Sequence, residues 1–183
     1  MANEVVSSEK KYSGRVLALR VDRVLLENGK EAGLEIIEHR GSVVMVPVDD
    51  DGGIWFVRQY RHAAGREILE LPAGTLEAGE EPATSAGREL REEIGMGAAK
   101  LTRLGGFFLA PGYATEFMHV FLATGLRPDR LPGDEDEVLH PEKYSLDEVR
   151  KRLEDGAWED AKTIAALALV LPRITAVNRM DDR

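Results

Sequence analysis

The segment Pro82–Ile94 constrains this chain most, because it is the first convincing helix and it separates a strand-like half from a half of mixed strands and helices. Pro82 suits the first helical position and Gly95 the left-handed position just past the end. Ala83, Ala86, Leu90 and Ile94 recur at helical spacing, so they are expected to face a core. Upstream, Met1–Lys10 reads as a frayed terminus and Val16–Val48 as strands. Asn28-Gly29, between Val21–Leu26 and Leu34–Ile37, is a hairpin signal. Val43–Val48 is a continuous apolar run suited to a buried strand, and Asp49–Gly53 turns the chain into a returning strand, Ile54–Tyr60. Downstream, Leu101–Leu109 and Phe117–Ala123 read as strands around a Pro111-Gly112 break. An acidic loop, Leu131–Glu137, comes next. Ser145 and Glu148 form a capping box ahead of Val149–Leu153, and Ala161–Leu171 reads as a last helix ended by Pro172. Strands, one helix, strands, then helices predict an α+β domain, with the first forty residues as a separate subdomain.

Charge narrows the partners. With 33 acidic and 24 basic side chains the net charge is -9, and no basic run exceeds Arg150-Lys151-Arg152. Such a chain repels polyanions, so nucleic acid is not an expected partner. An acidic protein acting on a phosphorylated substrate needs a cation between the like charges. There is no cysteine, which removes disulfides, cysteine-ligated zinc and thiol catalysis. No apolar run approaches the roughly 20 residues of a membrane span, so no membrane is expected and a cytoplasmic location is the default.

The segment Gly74–Met96, GTLEAGEEPATSAGRELREEIGM, is where specific chemistry begins. Glu89, Glu92 and Glu93 stand at i, i+3 and i+4 and share one helix face. Like charges so placed repel by a few tenths of a kcal/mol per pair. A solvated face neutralised by Arg88 and Arg91 is the bland reading. Against it, Glu80 lies in a glycine-flanked loop that can fold back onto the same face, making a cage for a hard divalent cation. Arg88 can hold one carboxylate by a bidentate pair.

Gly74, Glu80, Arg88-Glu89-Leu90, Glu92-Glu93 and Gly95-Met96 match the Nudix box at every defined position, so the chain is identified as resembling the Nudix hydrolases. The resemblance runs from about Gly14 to Leu171 and implies a mixed sheet sandwiched between helices. Glu70-Leu71-Pro72-Ala73-Gly74, Arg58-Gln59-Tyr60-Arg61 and Pro111, sixteen residues beyond Gly95, are similar to features of ADP-ribose pyrophosphatases. Sugar-nucleotide hydrolases share several of them, so a GDP- or UDP-sugar stays the alternative substrate.

Residue by residue, the resemblance implies that Glu89 and Glu93 bind metal with the Ala73 carbonyl, and that Glu92 belongs to the same cluster. Glu80 and Arg88 are supporting residues. Arg61, Glu116 and Pro111 are expected at the nucleotide or its diphosphate. Glu137 is expected to reach a metal and Glu135 to be the general base. Magnesium is the expected cofactor, with manganese as the other candidate. The implied organisation is a dimerising β region at 1–40, a hydrolase domain at 41–175 and a tail at 176–183. The expected assembly is a homodimer in which the N-terminal strands exchange. Other residues carry plainer expectations. Trp55 and Tyr60 are read as sheet packing, Phe107-Phe108 as core, and His62 and His140 as ordinary surface residues. Glu70 is read either as a metal ligand or as paired with Arg66 or Arg58.

Overall fold

A computed structural model describes residues 4–133 and 137–181, with residues 175–181 described by backbone alone. The chain divides into two compact units: one from the first 41 residues with Phe107–Phe117, the other from Ser42–Gly106 with the remainder.

The first unit carries an antiparallel sheet of β1 (Glu4–Ser13), β2 (Ala18–Leu25) and β3 (Glu31–Glu38), in that order. The hairpin forms where Asn28-Gly29 places it. Gly29 takes φ +77°, and the Lys30 N–H donates to the Asn28 side chain at 3.0 Å. The stretch expected to fray is instead strand β1, paired along β2 from Glu4↔Leu25 to Ser13↔Ala18. All ten of its residues are exposed, so backbone pairing makes this strand without the apolar alternation that would announce it. The segment Phe107–Phe117 joins the unit through Ile37, whose N–H donates to the Tyr113 carbonyl at 2.7 Å. Phe108 is exposed, edge-on to Phe117, which corrects its expected place in a core.

The second unit is built on β4 (Ser42–Pro47), whose six residues are all buried. β4 lies between β7 (Ala73–Thr75), antiparallel, and β9 (Phe117–Pro128), parallel, and β8 (Met96–Phe108) completes the sheet order β7-β4-β9-β8. A second sheet has β5 (Ile54–Arg61) at its centre, flanked by β6 (Arg66–Glu70) and β10 (Leu139–Tyr144), both antiparallel. β6, β7 and β10 are short and carry no pattern that periodicity detects.

Strand alternation turns Val43 and Met45 to one face of β4, where they cluster with Ala86, Leu90 and Ile94 of α1 (Pro82–Glu93) and with Phe121. α3 (Ala161–Asp181) also packs on β4 and buries Ala166, Leu167 and Val170. The unbroken apolar run of β4 thus reflects cover on both faces. Ala83 is exposed, contrary to expectation, because the first turn of α1 emerges from an exposed loop. α2 (Leu146–Glu154) starts at the capping box foreseen, Ser145 and Glu148 bonding reciprocally. Pro172 does not end α3, which runs on to Asp181 through residues expected as a tail. Proline forfeits one backbone bond but keeps helical φ, and the buried residues just before it anchor the helix. Tyr60 is exposed, not packed, whereas half-buried Trp55 donates from Nε1 to Asp49 at 3.2 Å. Among the described residues no helix is long and apolar enough to cross a membrane.

Leu90 has no exposed surface and sits between Glu89 and Glu93 in sequence. Leu90→Ala should cost about 2–5 kcal/mol, read as a lower urea midpoint with unchanged slope. A midpoint equal to that of the wild type would show that α1 is not seated by this contact.

A candidate active site on helix α1

β7, edge-paired to β4, sets the Ala73-Gly74 backbone against α1. The Ala73 N–H donates to Glu93 Oε2 at 3.1 Å. Gly74 lies so close to Glu89 that a Cβ there would fall 1.9 Å from its carboxylate. That contact is the physical reason for a glycine at this position. Glu89 and Glu93 are one turn apart and only 8% and 7% exposed.

Arg88 organises the others. Its Nε and Nη2 donate to the two oxygens of Glu80, each at 3.1 Å, in a bidentate pair. Nη1 reaches Glu92 at 2.7 Å and Glu89 at 2.9 Å. The loop carboxylate thus folds back as its glycine-flanked setting suggested, but onto Arg88. Its pairing with Arg88 holds Glu80 below the usual carboxylate range.

One guanidinium cannot balance four carboxylates, and the deficit falls on the buried pair. Burial pushes the Glu89 carboxyl up to about 7; Arg88 opposes this, and the neighbouring charges of Glu92 and Glu137 add to it. Burial pushes Glu93 well above the ordinary value too, reinforced by Glu89, with the Ala73 N–H working against it. Two buried acids that hold protons this tightly are an environment short of positive charge.

Among the described residues no three histidine, aspartate or glutamate side chains are grouped to hold a metal ion by themselves. Of the four acids read from the helix face and its loop, Glu80 and Glu92 bind Arg88, Glu89 shares it, and Glu93 does not touch it. The remaining pair fits a hard divalent cation that takes one or two carboxylates and completes its shell with water and substrate phosphate. Glu89, Glu93 and the Ala73 carbonyl are the groups that could hold it. Glu137 is exposed, and its charge acts on both Glu89 and Glu93. Glu135 lies outside the described residues.

Behind this pair stands an ion network that sequence reasoning missed in part. Glu70, 2% exposed, accepts from Arg61 Nε at 2.8 Å and Nη2 at 2.6 Å, and from the ammonium of Lys162. Burial opposes the charge on Glu70, but Arg61 and Lys162 outweigh it and hold the carboxyl below its usual range. The expected partners are engaged elsewhere, Arg58 with Glu142 and Arg66 with Glu159. A lone lysine in the first turn of a helix carries no sequence signal, so Lys162 was not foreseen. Pro111 and Glu116 belong to the first unit, where Pro111 is exposed and Glu116 lies 3.8 Å from the His39 ring. A cavity of about 640 Å³ opens past the other end of β4, lined by Val48, Asp49, Lys143, Tyr144 and Arg173 among others, and shares no residue with the carboxylate site.

The chain is similar to known proteins over most of its length. The NUDIX domain family model matches residues 38–167. The chain is 41% identical over 169 residues to the ADP-ribose pyrophosphatase of Bacillus subtilis (strain 168), covering 91% of this chain and 91% of that protein. It is 40% identical over 174 residues to the ADP-ribose pyrophosphatase of Mycobacterium tuberculosis (strain ATCC 25618 / H37Rv), covering 91% and 82%. The fold is similar to a crystal structure of an ADP compounds hydrolase, with a TM-score of 0.86, 28% identity, and coverage of 98% of this chain and 97% of that one. Enzymes of this kind generally use divalent metal ions. With the family model matched over residues 38–167 and two relatives about 40% identical over 91% of the chain, the protein belongs to the Nudix hydrolase family.

Proposed function

We propose that this Nudix pyrophosphohydrolase splits the pyrophosphate bond of ADP-ribose to give AMP and ribose 5-phosphate, with Mg²⁺, or Mn²⁺ in its place. The observation that carries the chemistry is the buried Glu89–Glu93 pair, too acidic in composition for its surroundings without a cation. The substrate rests on two relatives, similar over most of their length, that are ADP-ribose pyrophosphatases.

In this reading Glu89, Glu93 and the Ala73 carbonyl hold the cation, joined by Glu137 from the acidic loop. Bound there, it screens the phosphate charge and makes water a better acid. Arg88 keeps Glu80 ionised and holds both Glu80 and Glu92 in place. Arg61 uses Nε and Nη2 on Glu70, and its side chain stays 41% exposed, so its remaining N–H groups can take a phosphate oxygen. Glu135 is the proposed base that removes the proton of the attacking water, since a carboxylate bound to a cation is a poor one. Pro111 and Glu116 are assigned to the nucleotide. The chain works as a homodimer through its N-terminal strands. That assembly is supported by the wholly exposed β1 and by a three-stranded sheet that buries little of its own.

With Mg²⁺, ADP-ribose should give a higher kcat/KM than GDP-mannose or UDP-glucose, with AMP and ribose 5-phosphate as the identified products. A clear preference for a guanine or uracil sugar nucleotide would reassign the substrate. Glu89→Gln and Glu93→Gln should each lower kcat by a factor on the order of 10² or more while the protein stays folded. The metal-free protein should also show the cost of the buried charges. Glu89 binds its proton more tightly folded than unfolded, so its contribution is most favourable below an unfolded value of about 4.3 and is lost as pH rises through about 7. The melting temperature without metal should therefore fall between about pH 5 and pH 8, and Glu89→Gln should flatten that fall; equal slopes in the two proteins would contradict it. Light scattering after size exclusion should give the mass of a dimer, and a fully active monomer would refute the assembly.

A further inference from the structure

Lys162 is 8% exposed, yet its ammonium is held by two carboxylates, Glu70 and Asp160, the latter at 3.0 Å. A buried cation is costly unless paired, and an apolar side chain of the same length would fill this space without that cost. The charge is therefore to be explained by the groups it holds. Asp160 is fixed in turn by the first turn of α3: the Thr163 N–H donates to Oδ2 at 3.0 Å and the Thr163 hydroxyl at 2.6 Å. The same hydroxyl accepts from the Leu71 N–H at 2.8 Å. One helix start thus grips two consecutive residues, Glu70 through Lys162 and Leu71 through Thr163. They directly precede Pro72, whose carbonyl accepts from the Met45 N–H at 2.9 Å, and then Ala73.

At its other end the network reaches solvent. Arg61 is bound to Glu70 along one edge of its guanidinium, while Glu70 and Lys162 lie inside. A carboxylate held by a single partner can swing about its side-chain torsions. One clamped from behind by an anchored ammonium cannot, so the fork it offers sets the plane of the arginine.

We propose that Lys162 is a positioning residue for substrate binding: anchored by Asp160 at the start of α3, it locks Glu70 and thereby aims Arg61. This rests on the reading above that Arg61 meets the substrate's phosphates. Lys162 itself touches no substrate; its effect on substrate binding passes through Arg61, and its charge separately favours the ionised form of Glu93.

The test compares wild type, Lys162→Met, Arg61→Ala and the double variant in steady-state hydrolysis of ADP-ribose. The Arg61 Nε–H resonance is followed by NMR in the wild type and Lys162→Met without metal or substrate. Lys162→Met should raise KM about tenfold and lower kcat less than about threefold. In the Arg61→Ala background the same change should move KM by less than about twofold, because the residue through which it acts is gone. The Arg61 Nε–H signal should shift and exchange faster with water in Lys162→Met. Equal KM increases in the two backgrounds, or an unchanged Arg61 signal, would overturn the proposal. Asp160→Asn keeps the ammonium and the helix cap but weakens the anchor. It should raise KM in the same direction, and it decides the matter if Lys162→Met does not fold. A wild type that leaves ADP-ribose intact would overturn the substrate reading, while the Arg61 signal still decides the role of Lys162.

Discussion

Arg88 touches three carboxylates at once, and the site is organised by what that single guanidinium can and cannot neutralise. It satisfies Glu80 from the loop and Glu92 from the next turn, and it only partly offsets Glu89. Glu93, farthest along the helix, has the Ala73 N–H and the charge of Lys162 in its favour, and burial with the neighbouring carboxylates outweighs both. The result is uneven charge satisfaction, which leaves the buried pair Glu89 and Glu93 on either side of Glu92 short of positive charge. A site built this way is incomplete by construction. In the proposed reading its remaining ligands are water, substrate and Glu137, as suits a hard divalent cation that shares its oxygens with phosphates.

That arrangement depends on rigid support, and β4 provides it. A strand buried on both faces lets α1 and α3 pack on the same six residues. β7 needs only three pairs with β4 to bring Ala73 and Gly74 against the glutamates. The approach is so close that there is no room for a side chain at Gly74. From the other direction, α3 fixes the chain just upstream through Thr163 and Lys162. Two helices thus position one short backbone segment, and each does so by polar contacts at its own end of it.

The network around Glu70 shows how a buried charge can be both stable and useful. Glu70 is inside, but two cations share it, and one of them reaches the surface. The charge is offset by its neighbours and relayed outward as a fixed arginine. The acidic balance of the whole chain repels a diphosphate; the proposed role of Arg61 beside the proposed cation is to reverse that locally.

Elements with strong local signatures can be read from the chain alone. The hairpin at Asn28-Gly29, the buried run of β4, the capping box at Ser145 and the span of α1 were all legible, because each depends on neighbours in the chain. The glutamates of α1 were legible too, since their spacing and the residues around them sit within one segment. Tertiary structure decided the rest. β1 has no apolar alternation and exists only because β2 pairs with it, and Pro172 fails to stop a helix anchored by distant packing. Which carboxylates stay open was also out of reach, because it depends on Arg88 choosing among partners a turn and a loop away. Lys162 and Glu70 lie 92 residues apart, and no local pattern records a pairing that exists only once α3 packs on the sheet.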